Sequence, residues 1–449
     1  MNKYHSGRYV GSVATVTTTG PLQDYRRRVI DGELDDLLPA LPAIAIDGAK
    51  GVGKTRTAGQ RAATRFDLDD PAILEIARAD PTRLLTSTAP VLLDEWQRMP
   101  AVWDLVRRAV DRGAAPGQFL LTGSAALDGP DTHSGAGRIV RLRMRPMTLS
   151  ERGVDVPTVS LADLLSGSRP AIKGETGIGL TRYAEEICAS GLPALRGLSG
   201  RAHRAQLDGY LARVIDRDVT ELEHPVRNPA ALRRWLTAYA AATSTTTAYD
   251  RIRDAAGGGD KDSGSDKPAK TTTMRYRDAL ESLWLLDPIP AWAPTDNHFS
   301  KLAKMPKHQL ADPAFAARLL GADVEALIDS PGSLLTLGRD TSLLGLLFEA
   351  LVGLDVRVYA QTAEARVAHF RSHYGDREVD LIVERGDHRV VALDVKLAAT
   401  VDDDDVRHLH WLHEKLGHDL LDAVIITTGG HAYRREDGVA VVPASLLGP

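Results

Sequence analysis

Gly48-Ala49-Lys50-Gly51-Val52-Gly53-Lys54-Thr55 is the stretch whose reading decides the fold of this chain. It fills every fixed position of the phosphate-binding loop pattern G-x-x-x-x-G-K-[ST]. The run before it, Ala43-Ile44-Ala45-Ile46, is short and apolar and reads as a buried strand. The run after it, Thr57 to Phe66, has no proline and reads as a helix. Gly48, Gly51 and Gly53 let backbone N–H groups crowd around phosphate oxygens, and the helix N-terminus adds a partial positive charge. Lys54 is then placed to reach the β- and γ-phosphates, and the Thr55 hydroxyl to ligate Mg²⁺. Val52 and Arg56 are counted with them as nucleotide contacts. The stretch predicts a nucleoside triphosphate site.

Outward from the loop, Pro90-Val91-Leu92-Leu93-Asp94-Glu95-Trp96-Gln97 is an apolar strand ending in two acids. Asp94 would hold Mg²⁺ through water, and Glu95 would orient and deprotonate the attacking water. A third strand, Gln118 to Ser124, brings Thr122 or Ser124 to a place where a polar residue senses the γ-phosphate; a plain strand-ending turn is the alternative. Three apolar strands, each leading into helical or loop segments, imply a parallel sheet with helices on both faces. From Gly135 to Pro146, arginines alternate with apolar residues, which is strand periodicity with one basic face. One of them, Arg138 among them, is either an arginine finger for a neighbouring copy's nucleotide or part of a solvated or DNA-facing strand. A leading helix is expected over Gln23–Leu38 and another through Ile73, Leu74 and Ile76.

Composition sets the outer bounds. The chain has 449 residues, enough for two to four domains, and 43% hydrophobic with 26% charged residues is the make-up of an ordinary soluble protein. A net charge of −5 excludes a uniformly basic nucleic-acid binder but leaves room for a local basic face. Cys188 is the single cysteine, which rules out an intramolecular disulfide and a cysteine zinc site and fits a cytoplasmic setting. No run of about 18 apolar residues occurs, so no membrane-spanning helix is expected.

Downstream, residues 150–225 read as mainly helical, with Tyr183–Ala189 and Gln206–Val219 the clearest segments. Leu232–Ala242 reads as a helix, Gly257–Thr273 as a flexible loop, and Met274–Leu286 as a helix capped by Thr272 or Thr273. Helix, turn and helix followed by Pro288-Ile289-Pro290-Ala291-Trp292 has the shape of a winged helix, with Arg275 and Arg277 at the head of its recognition helix; protein packing is the competing use. In the last third, Leu343–Val352 reads as an apolar helix carrying Glu349, and Asp355–Tyr359 alternates like a strand. Arg377–Val383 and Val390–Lys396 read as strands joined by the turn Arg385–His388. Asp394 and Lys396 are two apart and share a face. Asp380 and Asp394, helped by Glu349 and the Val395 carbonyl, form a set that would hold Mg²⁺ against a scissile phosphate. Lys396 would position the attacking water and stabilise developing charge. The alternative is an Asp394–Lys396 ion pair on an edge strand. Asp402–Asp405 reads as an acidic helix start, and Val424–Thr428 and Val439–Val442 as two more strands. His408, His410 and His413 share that helix and read as a solvated face.

The order of GAKGVGKT, LLDEWQRMP, FLLTGSA and GAGRIVRLRMRPMTLSE resembles the AAA-type P-loop ATPases of bacteria and archaea that carry a restriction-endonuclease-like (PD-(D/E)xK) C-terminal domain. The resemblance implies ATP rather than GTP. It also implies an α/β fold with an ATPase core at 21–145, a helical lid at 146–225, a winged-helix-like domain at 226–330 and a small mixed α/β nuclease-like domain at 335–449. The expected cofactors are ATP and Mg²⁺. Three functions compete: an ATPase coupled to DNA binding or metal-dependent DNA cleavage; an ATP-dependent switch whose C-terminal domain only binds nucleic acid or a partner protein; and an ATPase with scaffolding domains. A finger supplied in trans would require a homo-oligomer.

Overall fold

The structure, a computed structural model, describes residues 25–125, 136–220, 228–257, 267–293, 305–328, 342–372 and 375–449. Two compact units emerge: Tyr25 with 35–47 and 54–142, and 26–34 with 48–53 and 143–449. The division falls within the glycine loop: residues 48–53 belong to the second unit and Lys54 to Leu142 to the first.

In the first unit, β1 (Ala43–Asp47), β2 (Thr64–Asp67), β3 (Val91–Asp94), β4 (Phe119–Gly123) and β5 (Val140–Arg143) form one sheet in the order β2-β3-β4-β1-β5. The pairs β1–β4, β3–β4 and β2–β3 are parallel. β1, β3 and β4 are buried along their whole length, which is why each reads as an unbroken apolar run. Ala43, Ala45, Val91, Leu93, Phe119 and Leu121 meet Ile73, Leu84, Val102, Trp103 and Val106 in one core. The helices of that core are Pro71–Ala79, Thr82–Thr86 and Ala101–Asp111, and the short helix Lys54–Gly59 also packs on β1, β3 and β4.

Two expectations fail here. The helix predicted over Thr57–Phe66 stops at Gly59, and Thr64–Asp67 becomes β2. Phe66 is buried in the sheet core, so packing beside β3 overrides local propensity. The predicted leading helix is shortened to Ile30–Leu37; Gln23 and Asp24 lie outside the described residues. The Asp31 carboxylate accepts the Arg28 backbone N–H at 2.6 Å, which folds the chain into a turn before the helix can begin.

The second unit holds β6 (Val159–Ser160), β7 (Gly174–Glu175), β8 (Arg366–Arg371), β9 (Glu378–Glu384), β10 (Val390–Val395), β11 (Leu420–Thr427), β12 (His431–Arg434), β13 (Ala440–Pro443) and β14 (Leu447–Gly448). Seven of these make a mixed sheet, β7-β12-β13-β11-β10-β9-β8, and β6 pairs with β14. β9 and β10 are an antiparallel pair joined through Arg385–His388; β11 lies parallel to both β10 and β13. Helix Asp403–Leu416 buries Val406, Leu409 and Leu412 in the core of this sheet. Asp402 caps it, accepting from Asp404 and Asp405 N–H.

Asp355–Tyr359 is not a strand. It continues helix Leu343–Thr362, because Val356, Tyr359 and Ala360 extend the buried stripe begun by Val352 at helical spacing. Five residues of D-V-R-V-Y suit either period, and the long apolar run before them decides it. The helix expected from Met274 runs over Lys270–Ser282 instead; Thr273 lies inside it and donates to the Lys270 carbonyl at 2.8 Å rather than capping. Residues 258–266 of the expected loop lie outside the described residues. Ile289 exchanges both backbone hydrogen bonds with Lys307, each 2.9 Å, and Ala291 bridges His369 of β8. The Pro288–Trp292 stretch is therefore carried on the edge of the C-terminal sheet.

Candidate functional site

In the first unit, β3 delivers Asp94 to the C-terminal edge of a fully buried strand, 4% exposed. Its Oδ1 accepts from Thr55 Oγ1 at 2.8 Å and from Thr122 Oγ1; its Oδ2 accepts from Arg65 at 3.2 Å. Burial pushes the Asp94 carboxyl above the ordinary range, against the lowering effect of the Thr122, Thr55 and Arg65 contacts. Thr122 is fully buried, and its oxygen also takes the Glu95 backbone N–H at 3.3 Å.

Glu95 has left-handed backbone, φ 53° and ψ 48°, where the strand breaks into the short turn Trp96–Arg98. A non-glycine residue there is uncommon and carries a modest strain. Its carboxylate is held by Ser124 Oγ at 2.7 Å and by Gln97 Nε2. Gly123 admits this turn: a Cβ there would lie 2.7 Å from Trp96 Nε1. Lys54 opens its helix and is buried; Arg56, two residues on, is exposed. Thr55 and Asp94 thus lie side by side, with Thr122 on the same carboxylate oxygen and Arg65 on the other, and this hydroxyl–carboxylate pair is an oxygen set that suits Mg²⁺.

In the second unit, the loop backbone has the conformation its glycines predict. Gly51 and Gly53 have φ of 80° and 107°, and a Cβ on Gly48 would stand 2.2 Å from the Met144 carbonyl oxygen. Arg28 donates to the Val52 carbonyl at 2.7 Å and pairs with buried Glu151 at 2.9 Å. Lys50 pairs with Asp218 at 2.6 Å, and the Tyr210 hydroxyl donates to the Lys50 carbonyl at 3.2 Å. Tyr210 and Asp218 therefore both brace the loop at Lys50. Arg28 carries no motif, and nothing in the sequence marks it.

The alternating arginines separate. Arg141 holds buried Asp47 at 2.6 Å. Arg143 stacks 3.8 Å from the Trp284 ring centroid, and Arg145 pairs with Asp287 at 2.8 Å. Arg138 is exposed and pairs with Asp111 at 2.9 Å.

The C-terminal sheet and helix Leu343–Thr362 bring Glu349, Asp380 and Asp394 into one cluster. Val395 N–H donates to Asp380 Oδ2 at 2.9 Å, and Asp380 N–H to Asp394 Oδ1 at 3.1 Å. Burial and the Asp380 charge push the Asp394 carboxyl well up. Lys396 lies one residue past β10, close enough to oppose that rise. The surprise is Lys307. Wholly buried, its Nζ lies 2.7 Å from Glu349, 3.0 Å from Asp380 and 3.3 Å from Glu378. The carboxylates outweigh desolvation and hold the ammonium well above its ordinary pKa. Divalent metal does not fit this cluster as it stands, and no group of three or more His, Cys, Asp or Glu among the described residues is arranged to hold an ion. Lys307 sits in Met305-Pro306-Lys307-His308, which offers no periodic or motif signal. His408 of the expected histidine face bonds the Glu378 carbonyl at 2.9 Å, while His410 and His413 are exposed.

Comparison with known proteins gives the following. Residues 41–152 match the family described as AAA domain. Residues 180–326 and 344–447 match two families described as domains of unknown function, DUF8612 and DUF4143. Uncharacterized protein Rv2008c of Mycobacterium tuberculosis and uncharacterized protein Mb2031c of Mycobacterium bovis are each 26% identical over 440 residues, covering 94% of this chain and 84% of theirs. Among solved structures, the Walker-type ATPase PABY2304 of Pyrococcus abyssi is 15% identical and covers 68% of this chain and 99% of its own, with a TM-score of 0.38. The ORC2 protein of Aeropyrum pernix, solved with ADPNP and ADP, is 16% identical and covers 67% and 94%, with a TM-score of 0.32. The match over residues 41–152 supports an AAA-type P-loop ATPase core there. No helix among the described residues is long and apolar enough to cross a membrane.

Proposed function

We propose that this chain binds and hydrolyses ATP, and that its nucleotide state governs binding of nucleic acid or a partner protein by its C-terminal domain. One observation carries the hydrolytic reading: Thr55, Asp94 and Thr122 are joined by hydroxyl–carboxylate hydrogen bonds, with Glu95 anchored beside them on Ser124 and Gln97. Lys54 and the glycine-loop amides cradle the phosphates. Thr55 and, through water, Asp94 would hold Mg²⁺, which would supply neutralisation of the phosphate charge. Thr122 aligns Asp94 and the Glu95 backbone rather than touching phosphate. Glu95 leaves Ser124 and Gln97 to take the proton of the attacking water. Arg138, exposed at the end of the basic run, is the arginine suited to reach the nucleotide of a second copy.

The test is ATP binding and ATP turnover in Glu95→Gln. Retained binding with turnover lost supports the reading; unchanged hydrolysis removes the base role. Metal-dependent DNA cleavage is the second reading, favoured by the convergence of Glu349, Asp380 and Asp394 and opposed by the lysine among them.

A further inference from the structure

We infer that Lys307 is a built-in cation occupying the place of a divalent ion in the C-terminal carboxylate cluster, so that this domain works without metal and does not cleave phosphodiesters by metal chemistry. The inference concerns the second unit and stands whether or not the first hydrolyses ATP.

Three observations carry it. The first is stoichiometry. An ammonium has three N–H donors, and Lys307 Nζ has three carboxylate neighbours, on Glu349, Asp380 and Glu378. The second is volume. A divalent ion bound by those oxygens would sit about 2.0–2.6 Å from each. The ammonium already lies 2.7–3.3 Å from all three, so the two cations compete for one position. Two further oxygens of the cluster are engaged by backbone, Asp380 Oδ2 by Val395 N–H and Asp394 Oδ1 by Asp380 N–H.

The third is anchorage. The Lys307 backbone exchanges two hydrogen bonds with Ile289, and the Gln309 carbonyl accepts from Asp287 N–H at 2.9 Å. His308 N–H donates to the Thr245 carbonyl at 2.9 Å, and its ring bonds the Thr247 carbonyl at 2.6 Å. Withdrawing the lysine would break this strand-like anchorage on both sides and leave either its own ammonium or three clustered, partly exposed carboxylates without a counter-charge, which is costly. A residue so fixed is a permanent occupant rather than a gate.

The experiment measures Mn²⁺ binding to the nucleotide-free full chain by electron paramagnetic resonance, with circular dichroism as the folding check. Wild type, Asp380→Asn, Lys307→Met, and Lys307→Met combined with Asp394→Asn are compared. Wild type and Asp380→Asn are expected to bind Mn²⁺ identically. Lys307→Met is expected to bind additional Mn²⁺, to melt higher when it is added, and to lose both properties with Asp394→Asn. Mn²⁺ binding by wild type that falls in Asp380→Asn overturns the inference, as does a folded Lys307→Met that gains none. Should Lys307→Met not fold, the wild-type and Asp380→Asn comparison alone decides.

Discussion

Asp94 and Asp380 are both acids on strands beside a second carboxylate, yet they keep opposite company. Asp94 is held by two threonine hydroxyls and by an arginine shared with Asp67. Asp380 faces a wholly buried ammonium. A hydroxyl can turn to water or to an ion without leaving a charge behind, so the first cluster can exchange its partners during a reaction. A buried ammonium cannot leave without uncovering several charges, so the second cluster is fixed. Acid type and spacing do not decide whether carboxylates bind metal; the counter-charge already present does.

The largest effect should come from removing that counter-charge. Lys307→Ala is expected to cost about 3–5 kcal/mol of stability, since it leaves buried carboxylates without their cation. Denaturant unfolding measures it, and a loss within experimental error would break the contrast. Next, Asp94→Ala is expected to lower ATP turnover roughly a hundredfold or more, through loss of metal-held charge. Asp380→Asn should leave turnover unchanged, so steady-state ATPase rates of the pair test whether the two acids have separate duties.

A buried carboxylate with no ammonium in contact sharpens the comparison further. Asp355 accepts the Leu149 N–H at 3.2 Å, and burial raises its pKa from 3.8 to about 8. The folded pKa lies above the unfolded one, so its contribution to stability is full below the unfolded value and is lost as pH rises through about 8. Asp355→Asn should flatten that decline in a melting-temperature series across pH. Smallest of all is the stability effect of Arg138→Ala, because its partner Asp111 is solvent-exposed and such pairs contribute little. The melting temperature should not move, while ATP turnover should fall and lose its dependence on protein concentration if Arg138 acts on a second copy.

Much of the first site was legible in sequence because its parts are contiguous. Loop, strand end and third strand each carry a local pattern, and Gly48 to Thr55 needs no partner to be recognised. Misreadings fell where a short segment suits two periods, as at Thr64–Asp67 and Asp355–Tyr359, and packing chose. Asp394 and Lys396 stand out by spacing, and Glu349 and Asp380 by resemblance, but Lys307, 42 residues before Glu349, stands out by neither.

By itself the sequence determined the phosphate loop, the acidic strand end and the shared face of Asp394 and Lys396, because glycine conformation and strand alternation act over a few residues. Only the tertiary structure decided what each acid faces. Asp94 meets hydroxyls and Asp380 meets an ammonium because side chains distant in the chain meet in a dry interior, where every charge must find its partner.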